Sequence, residues 1–246
     1  MACGKYMKVI TYLVLFFIAA SVFFSGCTAQ KIPDATVLNT RYVGGEHNIT
    51  VYTLWRHDLH NATWAEFEYT VNGKTERGDF VEDYVPAYEF LKSNTSPDSI
   101  ITCWWDYGHS IRGWSGREPV VDIPSVEIAN SVSPYMYMSD AEKKEFRDEF
   151  CTAPYNKTKD IAAILTADNP QDAIALMEKY GSDYLFVVDM DLEKSPVFLS
   201  IAGKQNVSTD SPDFNKLVIW KALKGENIDG FELVYSGSGA HIYKTI

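Results

Sequence analysis

Ile100-Ile101-Thr102-Cys103-Trp104-Trp105-Asp106-Tyr107-Gly108 is the stretch on which the reading of this chain turns. Its first four residues form a short apolar run that predicts a buried strand. Two adjacent tryptophans, an acid and a tyrosine follow. Gly108 then permits a turn that a residue with a Cβ would resist. Binding sites collect where strands of a sheet end. The sequence therefore places two indoles, one carboxylate and one phenol where a site is expected. A carboxylate accepts hydrogen bonds and an indole N–H donates them, so together they suit a hydroxyl, which does both.

Outward from this stretch the pattern alternates helices with short apolar strands. Pro86 fits the first turn of a helix ending near Ser93. Ser139 and Glu142 form a capping box for a helix to about Phe150. Asn169 caps a helix begun by Pro170 and closed by Gly181. Tyr184 to Asp189 reads as a buried strand, Phe214 to Leu223 as a helix, and two strands flank Ser236-Gly237-Ser238-Gly239. The fold class is α/β: a layered core with a small mixed sheet flanked by helices, over residues 81–246. Residues 41–80 differ. Val51–Trp55 and Glu66–Val71 alternate and are rich in β-formers, and Asn72-Gly73 offers a hairpin turn into Lys74–Arg77. They predict a small antiparallel segment, behind a linker at 28–40.

The N-terminus reads as an export leader. Lys5 and Lys8 precede the apolar stretch from Val9 to Phe24, and the first acid is Asp34. Phe24-Ser25-Gly26-Cys27 resembles a lipobox with Cys27 lipidated, and an uncleaved anchor within residues 1–27 is the alternative. Either way the body is expected to be tethered at the outer face of the cytoplasmic membrane. Five sequons, at Asn48, Asn61, Asn94, Asn156 and Asn206, agree with export. Asn94 is a poor acceptor because Pro97 follows its Ser96, leaving Asn48, Asn61, Asn156 and Asn206 as glycosylation candidates. Outside the leader only Cys103 and Cys151 remain, and in an exported domain they could pair or stay as buried thiols. The net charge is −11, and with the two leader lysines set aside the body stands at −13. Such a body does not bind nucleic acid by electrostatics.

The pentapeptide Trp104–Gly108 resembles the signature of the oligosaccharyltransferase catalytic subunits, membrane enzymes that attach a lipid-linked glycan to asparagine in Asn-x-Ser/Thr. The flanks are similar too: Val85 to Asp98 upstream, and Ile111, Arg112, Arg117 and Pro119 to Asp122 downstream. Lys179 to Asp189 looks like the family's helix-turn-strand, and Asp191 with Lys194 fits its Asp-x-x-Lys motif. Phe198 stands where that motif prefers Met or Ile. The similarity covers residues 80 to 246 and corresponds to the family's soluble C-terminal domain. It implies a peptide-binding set of Trp104, Trp105, Asp106, Tyr107, Gly108, Asp191, Lys194 and Phe198, the last three on the opposite wall. Phe198 puts a preference for Thr over Ser in doubt.

The family's reaction machinery has no counterpart in the sequence. One apolar segment, Val9 to Gly26, comes near the roughly 20 residues a membrane span needs. The loops that hold the family's metal-binding and amide-activating acids are not matched, so no catalytic residue, metal ligand or cofactor is assigned. Phosphate loops, His-x-x-x-His pairs and Gly-x-Ser-x-Gly elbows do not occur. His57, Asp58 and His60 could bind a metal weakly, but a polar loop is the simpler reading. Three functions follow: a tethered module that binds sequon-bearing polypeptides and assists N-glycosylation, a glycosyltransferase subunit acting in trans with a multi-span membrane partner, and a structural surface lipoprotein that keeps only the fold.

Overall fold

The computed structural model describes residues 36–43, 47–56, 62–71, 74–80, 82–122, 125, 144 and 155–246. Two sheets are present. The first is a four-stranded antiparallel meander of β1 (Thr36–Val43), β2 (His47–Arg56), β3 (Ala62–Val71) and β4 (Lys74–Phe80), in that spatial order. Val71 pairs with Lys74 across a two-residue connection, the hairpin the Asn72-Gly73 signal predicts.

The second sheet has five strands: β5 (Ile100–Thr102), β6 (Glu118–Pro119), β7 (Ser182–Val188), β8 (Phe231–Gly237) and β9 (Ala240–Thr245), in the order β6-β5-β7-β9-β8. β5 runs parallel to β6 and β7, while β7–β9 and β9–β8 are antiparallel. The sheet is therefore mixed, and helices flank it, as the sequence predicts. β7 lies at its centre, and from Tyr184 to Val188 every residue is buried. A strand covered on both faces reads as continuous apolar sequence, not as alternation, and Tyr-Leu-Phe-Val-Val is such a run.

Five helices of six or more residues accompany the sheet among the described residues: α1 (Val85–Asn94), α2 (Tyr155–Leu165), α3 (Pro170–Lys179), α4 (Asp191–Ile201) and α5 (Val218–Leu223). Pro86 occupies the first turn of α1, and the Asn169 side chain caps α3 by accepting from the Gln171 N–H at 3.3 Å. α1 turns Ala87, Tyr88 and Leu91 inward, and the Tyr88 ring stacks on Phe186 of β7 at 5.7 Å. Leu91, Ile101, Ile111 and Phe186 are wholly enclosed, each contributing roughly 1.5–3 kcal/mol of burial.

One expectation is corrected here. Phe214 to Leu223 is not one helix: a 3-10 turn (Phe214–Lys216) is separated from α5 by Leu217, whose backbone is extended. The segment after Asp189 folds as the helix α4, although Pro196 lies inside it and removes a helical N–H. Of the helix expected from Ser139 to Phe150 only Lys144 is among the described residues, and it is helical. The leader, Cys27 and residues 28–35 of the expected linker lie outside them, while residues 36–40 belong to β1, so the antiparallel segment begins earlier than expected. Among the described residues no helix is long and apolar enough to cross a membrane.

Candidate functional site

β5 delivers the chain into the site. After Thr102 the backbone passes Cys103 and the extended Trp104, then tightens into a 3-10 turn (Trp105–Tyr107), a single α-helical turn (Gly108–Ser110) and a π-helical turn (Ile111–Ser115). Gly108 does not serve as a freely turning residue, because its backbone is ordinary right-handed helix. Its reason is close approach. A Cβ there would overlap the Val121 carbonyl oxygen and the Asp122 Cα, both backbone. The missing side chain lets the strand-to-helix turn pack directly against the segment that follows β6.

α4 supplies the facing wall. Asp191, Lys194 and Phe198 recur at helical spacing, so one face of α4 carries all three. Asp191 sits in the first turn, where a negative charge suits the helix dipole. Its Oδ2 accepts from the Val188 N–H at 3.0 Å, joining the helix start to the end of β7. Phe198 is fully buried and packs its ring at 4.5 Å from Trp104.

The polar groups form one connected network. Lys194 Nζ is paired with Asp106 Oδ2 and donates to the Tyr107 hydroxyl at 2.7 Å. The same ammonium lies 4.4 Å from the Tyr107 ring centre. The Tyr107 hydroxyl donates to Asp191 Oδ1 at 3.1 Å. The Asp106 and Lys194 side chains are only 3% and 11% exposed, so this is a buried ion pair. Asp106 Oδ1 is buried and has no hydrogen-bond partner. Burial raises both carboxyls, opposed in each case chiefly by Lys194. For Asp191 the result is about 6. Burial also pushes the Tyr107 phenol well up, with the nearby acids adding to it.

The structure thus gathers Trp104, Asp106, Tyr107, Asp191, Lys194 and Phe198, with Trp105 partly buried beside them. In it the Lys194 ammonium lies against the Asp106 carboxylate, the group expected to accept from a guest hydroxyl. Sequence reasoning put Lys194 on the wall and missed this contact. It also missed Tyr107 as the link between the Lys194 ammonium and the Asp191 carboxylate.

The two arginines differ. Arg112 forms a forked pair with Glu118 and a second pair with Asp122. Arg117 instead turns to neutral oxygens. It donates to the carbonyls of Lys92, Thr95 and Ser115 and to the Thr95 hydroxyl, satisfying the C-terminal end of α1. Cys103 is a buried free thiol and not half of a bridge, while Cys151 lies outside the described residues. Burial pushes the thiol well up, away from the nucleophilic thiolate form. No cluster of three or more His, Cys, Asp or Glu side chains suited to a metal occurs among the described residues. His57, Asp58 and His60 lie outside them.

Comparison with known proteins agrees with the sequence resemblance. The chain is similar to dolichyl-diphosphooligosaccharide–protein glycosyltransferase subunits, with 37% identity over 54 residues to the one from Caenorhabditis elegans and 33% over 79 residues to one from Arabidopsis thaliana. The matches cover 21% and 29% of this chain and only 7% and 11% of those proteins. No family model matches the chain. Among solved structures, the C-terminal globular domain of an oligosaccharyltransferase from Archaeoglobus fulgidus superposes with a TM-score of 0.47 at 18% identity, covering 68% of this chain and 99% of that domain. A whole oligosaccharyltransferase from the same organism, tethered to an acceptor peptide with an Asn-Val-Thr sequon, gives 0.45 at 13% identity, covering 65% of this chain and 24% of that one.

Proposed function

We propose that this chain takes part in protein N-glycosylation as an acceptor-recognition module, tethered at the extracytoplasmic face, and that it performs no transfer by itself. The sequence likeness to glycosyltransferase subunits supports the process. The site supports the role.

One observation carries the reading: Asp106 Oδ1 is a buried carboxylate oxygen left without a donor. An unsatisfied buried acceptor costs about 1–3 kcal/mol, and the hydroxyl of a Ser or Thr residue would relieve it. The oxygen is occluded in the unliganded molecule, so a guest must displace a side chain. Lys194 is suited to yield, since its ammonium sits on a flexible four-carbon stem. A few hydrogen bonds and one methyl group give a weak complex, near the millimolar range or about −4 kcal/mol. Catalysis in trans with a multi-span partner would use the same contacts, and co-purification of such a subunit distinguishes it.

A second reading is favoured by the ion pair itself. Asp106 and Lys194 satisfy most of each other's needs, which is what a site kept only for structure would do.

Titration of the folded chain with Asn-x-Thr and Asn-x-Ala peptides, followed by tryptophan fluorescence and amide chemical shifts, separates the two. Recognition gives at least about 10-fold weaker binding for the alanine peptide, and the Asp106→Ala variant loses that difference. An equal response to both peptides supports the structural reading.

A further inference from the structure

Three of the chain's own sequons have described side chains, at Asn94, Asn156 and Asn206, and the fold presents them differently. A transferase that reads Asn-x-Ser/Thr must reach the asparagine amide and the hydroxyl two residues on together, which is why such acceptors belong in surface loops.

Asn156 and Thr158 lie in the first turn of α2. Residues two apart on a helix point to nearly opposite sides. Asn156 is exposed, whereas Thr158 is wholly buried with its Oγ1 shut inside. Lys157 between them donates to the Val120 carbonyl at 3.1 Å. Presenting this sequon requires unwinding the turn and breaking that contact. Asn94 ends α1, its amide nitrogen donates to the Phe90 carbonyl at 3.0 Å, and Pro97 directly follows the sequon.

Asn206-Val207-Ser208 lies in the loop after α4, with Asn206 and Ser208 both exposed. No hydrogen bond among the described residues holds the Asn206 amide. The Ser208 Oγ receives one long contact, from the Asp210 N–H at 3.4 Å.

We propose that Asn206 is a glycan attachment site of the folded protein and that Asn156 is closed to modification once α2 has formed. The co-reactant is a diphosphate-activated oligosaccharide. The Asn206 side-chain nitrogen bonds to the anomeric carbon, the carbon–oxygen bond to the diphosphate breaks and leaves with its electron pair, and the nitrogen gives up one proton to a base. The assignment does not depend on whether the chain itself binds sequons.

The test incubates the folded full chain with oligosaccharyltransferase-containing membranes and a lipid-linked donor, with site occupancy read by peptide mass mapping. Synthetic peptides 152–162 and 203–211 serve as acceptors under the same conditions, and a transferase that modifies both is used. Asn206 should carry the glycan at about 10-fold or greater excess over Asn156 in the folded chain, and Asn206→Gln should remove that addition. Comparable occupancy at Asn156, or a bare Asn206 beside a modified 203–211 peptide, overturns the proposal.

Discussion

Two acid–base clusters flank the turn after β5, and they are built on opposite principles. In the outer one, Arg112 spreads its guanidinium over Glu118 and Asp122; the Glu118 side chain is 59% exposed, while Arg112 and Asp122 are largely covered. In the inner one, Lys194, Asp106, Tyr107 and Asp191 are enclosed, and one carboxylate oxygen goes without a donor. Exposed pairs gain little because water screens them. Enclosed pairs lose much when either partner is removed, because the charge left behind is stranded. The Glu118 arm of the outer cluster secures the turn at small cost, and the inner cluster is sensitive to the loss of any of its members.

Removal of Lys194 tests this most severely. Lys194→Met should lower stability by about 3–5 kcal/mol, because Asp106 loses its cation and Tyr107 loses its donor, and chemical denaturation reads the effect. A loss below about 1 kcal/mol would show that the inner cluster is no more than a surface pair. Gly108→Ala should follow, at about 1–3 kcal/mol by thermal unfolding, since the added methyl group meets backbone and not a movable side chain.

The inner cluster also has a pH signature. In the folded chain Asp191 holds its proton up to about 6, while in the unfolded chain it gives the proton up near its ordinary value of about 4. The folded state therefore binds more proton between these values, and this group's contribution to stability falls as pH rises through the window. Asp191→Asn should flatten that part of the stability–pH curve relative to the parent chain, and an unchanged slope would remove Asp191 from the account. The smallest effect belongs to the outer cluster: Glu118→Gln should cost less than about 1 kcal/mol and shrink further in salt.

Much of the fold was legible because local chemistry repeats it. The Asn169 cap, the proline starts of α1 and α3, the continuous apolar run of β7 and the turn at Ser238-Gly239 are read from neighbouring residues alone. Both turn residues have positive φ, 50° and 71°, and Gly237 pairs with Ala240 across them. α4 was harder to see, because Pro196 argues against a helix while its tertiary contacts hold one in place. The extended Leu217 carried no signal, and its N–H bonds a carbonyl three residues back, within the 3-10 turn. Of the site, residue identities were legible and contacts were not.

By itself the sequence determined a layered α/β chain whose strand end carries two indoles and an acid, since periodicity and residue type are local properties. Only the tertiary structure decided what meets that acid. Lys194 is 88 positions from Asp106, and no spacing rule says which of the many cations will be folded against a given carboxylate. Packing settled it: α4 starts where β7 ends, and β7 lies beside β5, so the first turn of the helix must face the turn after β5.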